Sequence, residues 1–280
     1  MKRIQLLPNV ITAFGLTCGL FAIFKMVMTP VGEATPAVLT VAAVFLLLAA
    51  FADLLDGAVA RVIKAESEFG VLFDSLADAI TFGVGPAVII LKSLSVPPGT
   101  EESFFITVAA MVYTVCGVLR LVRFNVMSNK AKADPALLVD NHKNFTGLPI
   151  PAAAAAAVSL NLFLVSSDFT RYFAIDETTH YWILFSALIV LGYLMVSRWK
   201  FLSLKALHIR VASFRLVFLT VLTAGLIFYG VLHHFPLVFF AITWLYLIVA
   251  LVLAIVRKIA GNRSSTLSDF EPDPEDSEDD

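Results

Sequence analysis

Charge is what this chain has least of. Of its 280 residues only 15% are Asp, Glu, Lys or Arg, whereas 59% are hydrophobic and the mean hydropathy is +0.87. A soluble domain needs a charged exterior that this composition does not supply, so the chain reads as a polytopic membrane protein. Cysteine is nearly absent. Cys18 and Cys116 both sit inside apolar runs, which gives no disulfide framework and no thiolate metal site. They read as small buried hydrophobes. Met1-Lys2-Arg3 begins like a signal peptide, but no small-residue cleavage site follows, so the first apolar run reads as a retained span. No internal repeat is visible, and nothing points to nucleic acid.

The formal charge of −2 conceals an asymmetry. Eight of the 22 acidic residues lie between Asp269 and Asp280, where there is no Lys or Arg; the rest holds 14 acids and 20 bases, net +6. Residues 261–280 therefore read as a disordered, self-repelling acidic tail, and 1–260 as one membrane domain. Apolar runs long enough to cross a bilayer fall near 9–28, 37–55, 71–92, 104–124, 149–167, 181–197, 214–233 and 236–256. The expected fold is an all-α bundle of about eight transmembrane helices. Among the 20 basic residues, only Lys25, Lys92 and Arg171 lie toward the face opposite the termini. The positive-inside rule then places both termini in the cytoplasm of a cell (inner) membrane. The basic, apolar-interleaved stretch Arg198 to Arg215 reads as lying on the anionic cytoplasmic leaflet. His142 and Lys143 read as loop residues, and His233-His234 as an interfacial pair on the far side.

Against this background, four carboxylates stand out. Asp53, Asp56, Gly57, Ala60 and Arg61 fall on one helical stripe at the end of the second run; Gly70, Asp74 and Asp78 share a stripe at the start of the third. An Asp at the centre of a spanning helix costs roughly 2.5–3.5 kcal/mol, so such a cluster marks function. Carboxylates without His or Cys suit Mg²⁺ or Mn²⁺. Gly57, Ala60 and Gly70 strip the neighbouring face of side chains, either for a bulky ligand or for close helix packing. Arg61 would clamp a phosphate or anchor the helix end. Together these parts fit phosphoryl transfer from a lipid diphosphate to an alcohol: two metals would bridge the diphosphate and a spare carboxylate would accept the hydroxyl proton. Ion transporters also carry intramembrane carboxylates, but near the midplane and often in repeated halves. Here the acids gather at one end and no repeat is seen, which disfavours a cation transporter.

The pattern D-x-x-D-G-x-x-A-R-x(8)-G-x(3)-D-x(3)-D, complete from Asp53 to Asp78, resembles the signature of the CDP-alcohol phosphatidyltransferases. The resemblance implies that Asp53 and Asp74 bind both of two divalent cations, Asp56 the first and Asp78 the second, with Asp78 also the proton acceptor. It implies further that Gly57, Arg61 and Ser67 contact the CDP-lipid. Asn9 and Thr12, in Pro8-Asn9-Val10-Ile11-Thr12, match a family element near the nucleotide, although a helix-entry cap explains them equally.

Three more stretches resemble the serine-using, membrane-integral branch: Phe69 to Ala87, Arg120-Leu-Val-Arg123-Phe-Asn125, and Phe145-Thr-Gly-Leu-Pro149-Ile-Pro151. Val122 and Thr81 stand where that pattern has Ala and Ser. Ala79 stands where relatives that use glycerol phosphate carry Lys. The resemblance thus implies CDP-diacylglycerol and L-serine as substrates, phosphatidylserine and CMP as products, and a homodimer among membrane lipids. Another acceptor, such as glycerol phosphate or inositol, is the alternative. Arg120 and Arg123, on one helix face, would hold the serine carboxylate or the lipid phosphate, with Asn125 beside them, or serve as positive-inside anchors.

Overall fold

The computed structural model describes residues 6–30, 32–63, 67–94, 96–133, 145–197, 200–201 and 229–260. Helix α1 (Leu6–Met28) and helix α2 (Pro36–Val62) form an antiparallel hairpin. Its turn closes through Glu33 N–H donating to Pro30 O (3.1 Å), with Gly32 at φ +83°, a backbone region that L side chains rarely enter. The next crossing has three parts: α3 (Glu68–Asp78), a π-helical turn (Ala79–Val84), and α4 (Gly85–Ser93). Helix α5 (Glu101–Ala133) follows, then α6 (Ile150–Leu164), the short α7 (Ser167–Thr170), α8 (Glu177–Val196) and α9 (Phe235–Ala260). The one sheet among the described residues is a two-residue antiparallel pairing, Phe145–Thr146 with Lys200–Phe201.

Six of the described helices are long and apolar enough to cross a membrane: Leu7–Met28, Pro36–Ala60, Phe69–Ser93, Glu101–Met127, Glu177–Val196 and Phe235–Val256. The fifth expected span is shorter than the sequence suggests. Pro149 and Pro151 set its start, and Ser166 caps the next helix, which leaves Ile150–Leu164. Fifteen residues at 1.5 Å rise reach about 22 Å, less than the ~30 Å hydrocarbon core. This helix is nonetheless the centre of the bundle, because its alanines admit close neighbours: Ala153, Ala154, Ala156 and Ala157 are all buried, and α2, α4, α8 and α9 pack on it. The expected span at 214–233, the basic stretch up to Arg215, His142 and Lys143, and the acidic tail lie largely or wholly outside the described residues. Large apolar side chains such as Phe14, Phe51, Leu54, Leu72, Phe104 and Leu245 point outward, as a lipid-facing surface requires.

Polar contacts fix the register of the helices. Helix α9 carries Thr243, bonded to Ser159 (2.7 Å), and Trp244, whose indole donates to Ala156 O (3.2 Å), so it docks on α6 by more than apolar contact. At the end away from the acids, Ser93 donates to buried Asn161 (2.9 Å) and Lys92 to Thr29 O (3.3 Å).

The π turn is the main irregularity. Widening a helix by one residue displaces its carbonyls, and those of a membrane helix need partners from within the protein. Helix α5 supplies them: Tyr113 donates to Phe82 O (3.0 Å) and Thr114 to Gly83 O (3.1 Å). Tyr113 is fully buried. Its replacement by Phe keeps the packing but strips a buried carbonyl of its donor. Tyr113→Phe is therefore expected to destabilise the fold by about 1–3 kcal/mol. The check is Tm of the detergent-solubilised protein; an unchanged Tm would show that the turn needs no such support.

Candidate active site at the α2–α3 junction

The last turns of α2 and the first turns of α3 face each other across the start of α1. Helix α2 runs on past Asp53 and Asp56 because Leu, Ala and Val fill its other faces. Helix α3 starts where Ser67, in an extended conformation, caps it: the Ser67 hydroxyl accepts from Gly70 N–H at 3.0 Å. Between them lies a small cavity, partly open to the outside. It is lined by Thr12, Gly15, Leu16, Ala49, Asp53, Asp56, Asp74, Ala77, Asp78, Thr81 and Phe82.

All four carboxylates expected from the sequence line this cavity, but they are not equivalent. One oxygen each from Asp53, Asp56 and Asp74 lies within 4.8 Å of the others. Asp78 is outside that trio, one turn deeper along α3. Its charge neighbours are the three other acids and Arg120 of α5. Asp56 is buried and takes a hydrogen bond from the Thr12 hydroxyl, which also reaches Pro8 O at 3.1 Å. Two carboxylates 4.8 Å apart repel by about 3.5 kcal/mol at an effective dielectric of 20. Three hard oxygen donors with no His or Cys among them fit a divalent cation of the Mg²⁺ or Mn²⁺ kind.

The two glycines of the signature play different parts: Gly57 faces open space, and Gly70 permits close packing. A Cβ on Gly57 would meet nothing within 4 Å, whereas one on Gly70 would lie 3.0 Å from Asn9 Oδ1 and 3.1 Å from Ser67 Oγ. Asn9 of α1 thus packs close to Gly70 and the Ser67 cap at the start of α3, although neither Asn9 nor Ser67 lines the cavity itself. Ala60 is half-buried on the same helix, one turn past Asp56. Arg61 continues the α2 backbone.

The expected acceptor residues separate. The Arg123 guanidinium donates to Val196 O (2.9 Å) and Ser197 O (3.3 Å), fastening the end of α8. Beside it Gly147, at φ +88°, lets the Phe145–Leu148 turn close against the same helix end, where Leu148 N–H donates to Leu194 O (3.1 Å). Asn125 donates to Ser75 Oγ (2.8 Å), tying α5 to the residue after Asp74. Arg120 alone of the three turns toward the acids; its Nε is buried with no hydrogen-bond partner among the described residues, and Tyr246 of α9 is a charge neighbour. Sequence reasoning passed over Tyr246 and the cavity-lining position of Thr81. A lone Tyr within the apolar run of α9 was the only signal for the former.

The CDP-alcohol phosphatidyltransferase family model matches residues 5–190, which contain every cavity-lining residue. A Helicobacter pylori (strain 26695) protein named CDP-diacylglycerol–serine O-phosphatidyltransferase is 32% identical over 259 residues, 90% of this chain and 96% of the relative. Proteins of the same name from Mycobacterium tuberculosis (strain H37Rv) and Bacillus subtilis (strain 168) are 36% identical over 160 residues and 32% identical over 155. The matched region spans about half the length (49%) of the mycobacterial relative and 75% of the Bacillus one. With the carboxylate signature folded into a single cavity and the family match extending over most of the bundle, this chain belongs to the CDP-alcohol phosphatidyltransferase family.

Proposed function

We propose that this protein transfers the phosphatidyl group of CDP-diacylglycerol to the hydroxyl of L-serine, forming phosphatidylserine and releasing CMP. The observation that carries the reading is the trio of carboxylate oxygens within 4.8 Å, with Asp78 on the same cavity wall but outside the trio. Asp53, Asp56 and Asp74 are the residues that would hold divalent cations, of which the family resemblance implies two. A bound cation of this kind neutralises diphosphate oxygens and the departing CMP phosphate.

The remaining roles fall to the chain's own groups. Thr12 orients Asp56. The face left open at Gly57, with Ala60 and Arg61 further along α2 and with Gly70, Ser67 and Asn9 at the facing helix starts, is where the nucleotide and diphosphate would lie. Asp78 takes the proton from the serine hydroxyl as its oxygen bonds to the lipid phosphorus and the bond from that phosphorus to the CMP oxygen breaks. Arg120, rather than Arg123, is the cation for the serine carboxylate, because Arg123 is already engaged with the end of α8. The names of the Helicobacter, mycobacterial and Bacillus relatives support serine as acceptor.

Basic residues concentrate on the side of the acids, which supports cytoplasmic termini and a site facing the cytosol of the inner membrane. Eight crossings remain part of this reading, as does a homodimer on family grounds.

If Asp78 is the proton acceptor and the trio holds the cation, their variants should differ in kind. Asp78→Asn should abolish turnover while CDP-lipid still binds with an affinity within about tenfold of normal, roughly 1.4 kcal/mol. Near-normal turnover in this variant would reject the assignment. The acceptor is tested by measuring CMP release from one CDP-lipid with serine, ethanolamine, glycerol 3-phosphate and inositol. Serine should be fastest, and ethanolamine poor because it lacks the carboxylate, whose charge-assisted bonds to Arg contribute about 1.5–3 kcal/mol each. Faster release with glycerol 3-phosphate or inositol would overturn serine and leave the family assignment standing.

A further inference from the structure

Thr81 is 2% exposed, lines the carboxylate cavity, and has a hydroxyl with no hydrogen-bond partner among the described residues. Buried hydroxyls are rarely left so. Five other helical threonines show what is missing: Thr17, Thr40, Thr107, Thr114 and Thr243 each donate to the carbonyl four residues earlier, at 2.7–2.9 Å. Thr81 sits on the π turn, and its hydroxyl makes no such back-bond to Ala77 O. No other side chain takes over. Helix α1 presents Gly19 here, and a Cβ at that position would collide with the Thr81 side chain, with its hydroxyl oxygen first, then with Cγ2 at 2.6 Å and Cβ at 2.8 Å. Gly19 thus makes the room in which this hydroxyl sits, beside the cavity and without a hydrogen bond to the protein.

The cavity has a use for that hydroxyl. Its other polar lining groups are the four carboxylates, which accept hydrogen bonds when ionised but do not donate, and Thr12, which already serves Pro8 and Asp56. A small alcohol that gives its proton to Asp78 still presents oxygen lone pairs that need a donor. Thr81 lies three residues beyond Asp78 on the same crossing. We propose that Thr81 is a substrate-positioning residue whose hydroxyl hydrogen-bonds the acceptor alcohol beside Asp78. This rests on the reading of the cavity as the transfer site, and deepens it by naming a residue that distinguishes the acceptor from the lipid donor.

The test uses the purified full chain as wild type, Thr81→Val and Thr81→Ser, with CMP release measured while serine and CDP-diacylglycerol are varied separately. Thr81→Val should raise the serine KM about fivefold, the range of one neutral hydrogen bond, and leave the CDP-lipid KM within about twofold. Thr81→Ser should restore the serine KM to within about twofold of wild type. The hydroxyl has no hydrogen bond within the protein to lose, so any fall in Tm of Thr81→Val reports the fit of a methyl group against Gly19 and is separate from the KM readout. An unchanged serine KM in Thr81→Val overturns the inference, as does a variant with lowered Tm and both KM values raised, or a Ser variant that fails to rescue. The underlying reading is judged on wild type alone. If another alcohol releases CMP faster than serine, serine is rejected and the Val and Ser variants are compared with that alcohol; if no alcohol releases CMP, both the reading and the inference fall.

Discussion

Mutual repulsion among carboxylates governs this molecule. Asp53, Asp56 and Asp74 bring oxygens within 4.8 Å of one another, with Asp78 on the same cavity wall and Arg120 as the nearby positive charge. Left uncompensated at the edge of a bilayer, such a group would push the two helices apart. The helices are held in place by contacts that do not involve the acids: the α1–α2 hairpin, the Ser67 cap on α3, and the Asn125–Ser75 bond from α5. The scaffold thus maintains an arrangement that favours a cation, and preorganisation of this kind lets binding proceed without rearrangement.

The π turn in the third crossing shapes the deeper part of the same cavity. The π turn begins one residue after Asp78, and its displaced carbonyls are caught by Tyr113 and Thr114 of α5. Because Thr81 and Phe82, both on this turn, line the cavity, the irregularity is part of the site. Single-turn π bulges often occur at functional positions for this reason. Helix α6, short and rich in alanine, lets the other helices close around it.

Legibility in the sequence followed the physics of each signal. The acidic stripes were readable because helical spacing fixes which residues share a face, and Asp53, Asp56, Asp74 and Asp78 do meet in one cavity. The long apolar spans were readable from length alone. What spacing could not separate was Arg120 from Arg123: both lie on one face of α5, yet Arg123 finds the carbonyls at the end of α8, more than 70 residues away in sequence, and Arg120 does not. Nor could periodicity reveal the π turn, since Ala79 to Val84 is as apolar as any helix and the groups that satisfy its carbonyls lie on another helix. The ends of α6 were not readable, because hydropathy ignores where proline and a serine cap divide an apolar run.

The central claim is that the carboxylate trio is a cation site. It is tested most directly by titrating Mn²⁺ into the purified protein and following the free-ion signal by electron paramagnetic resonance, without substrate or turnover. The account predicts saturable binding in the wild type and at least a tenfold loss of affinity, about 1.4 kcal/mol, in both Asp53→Asn and Asp74→Asn. Binding that is absent in the wild type, or undiminished in the two variants, would contradict it.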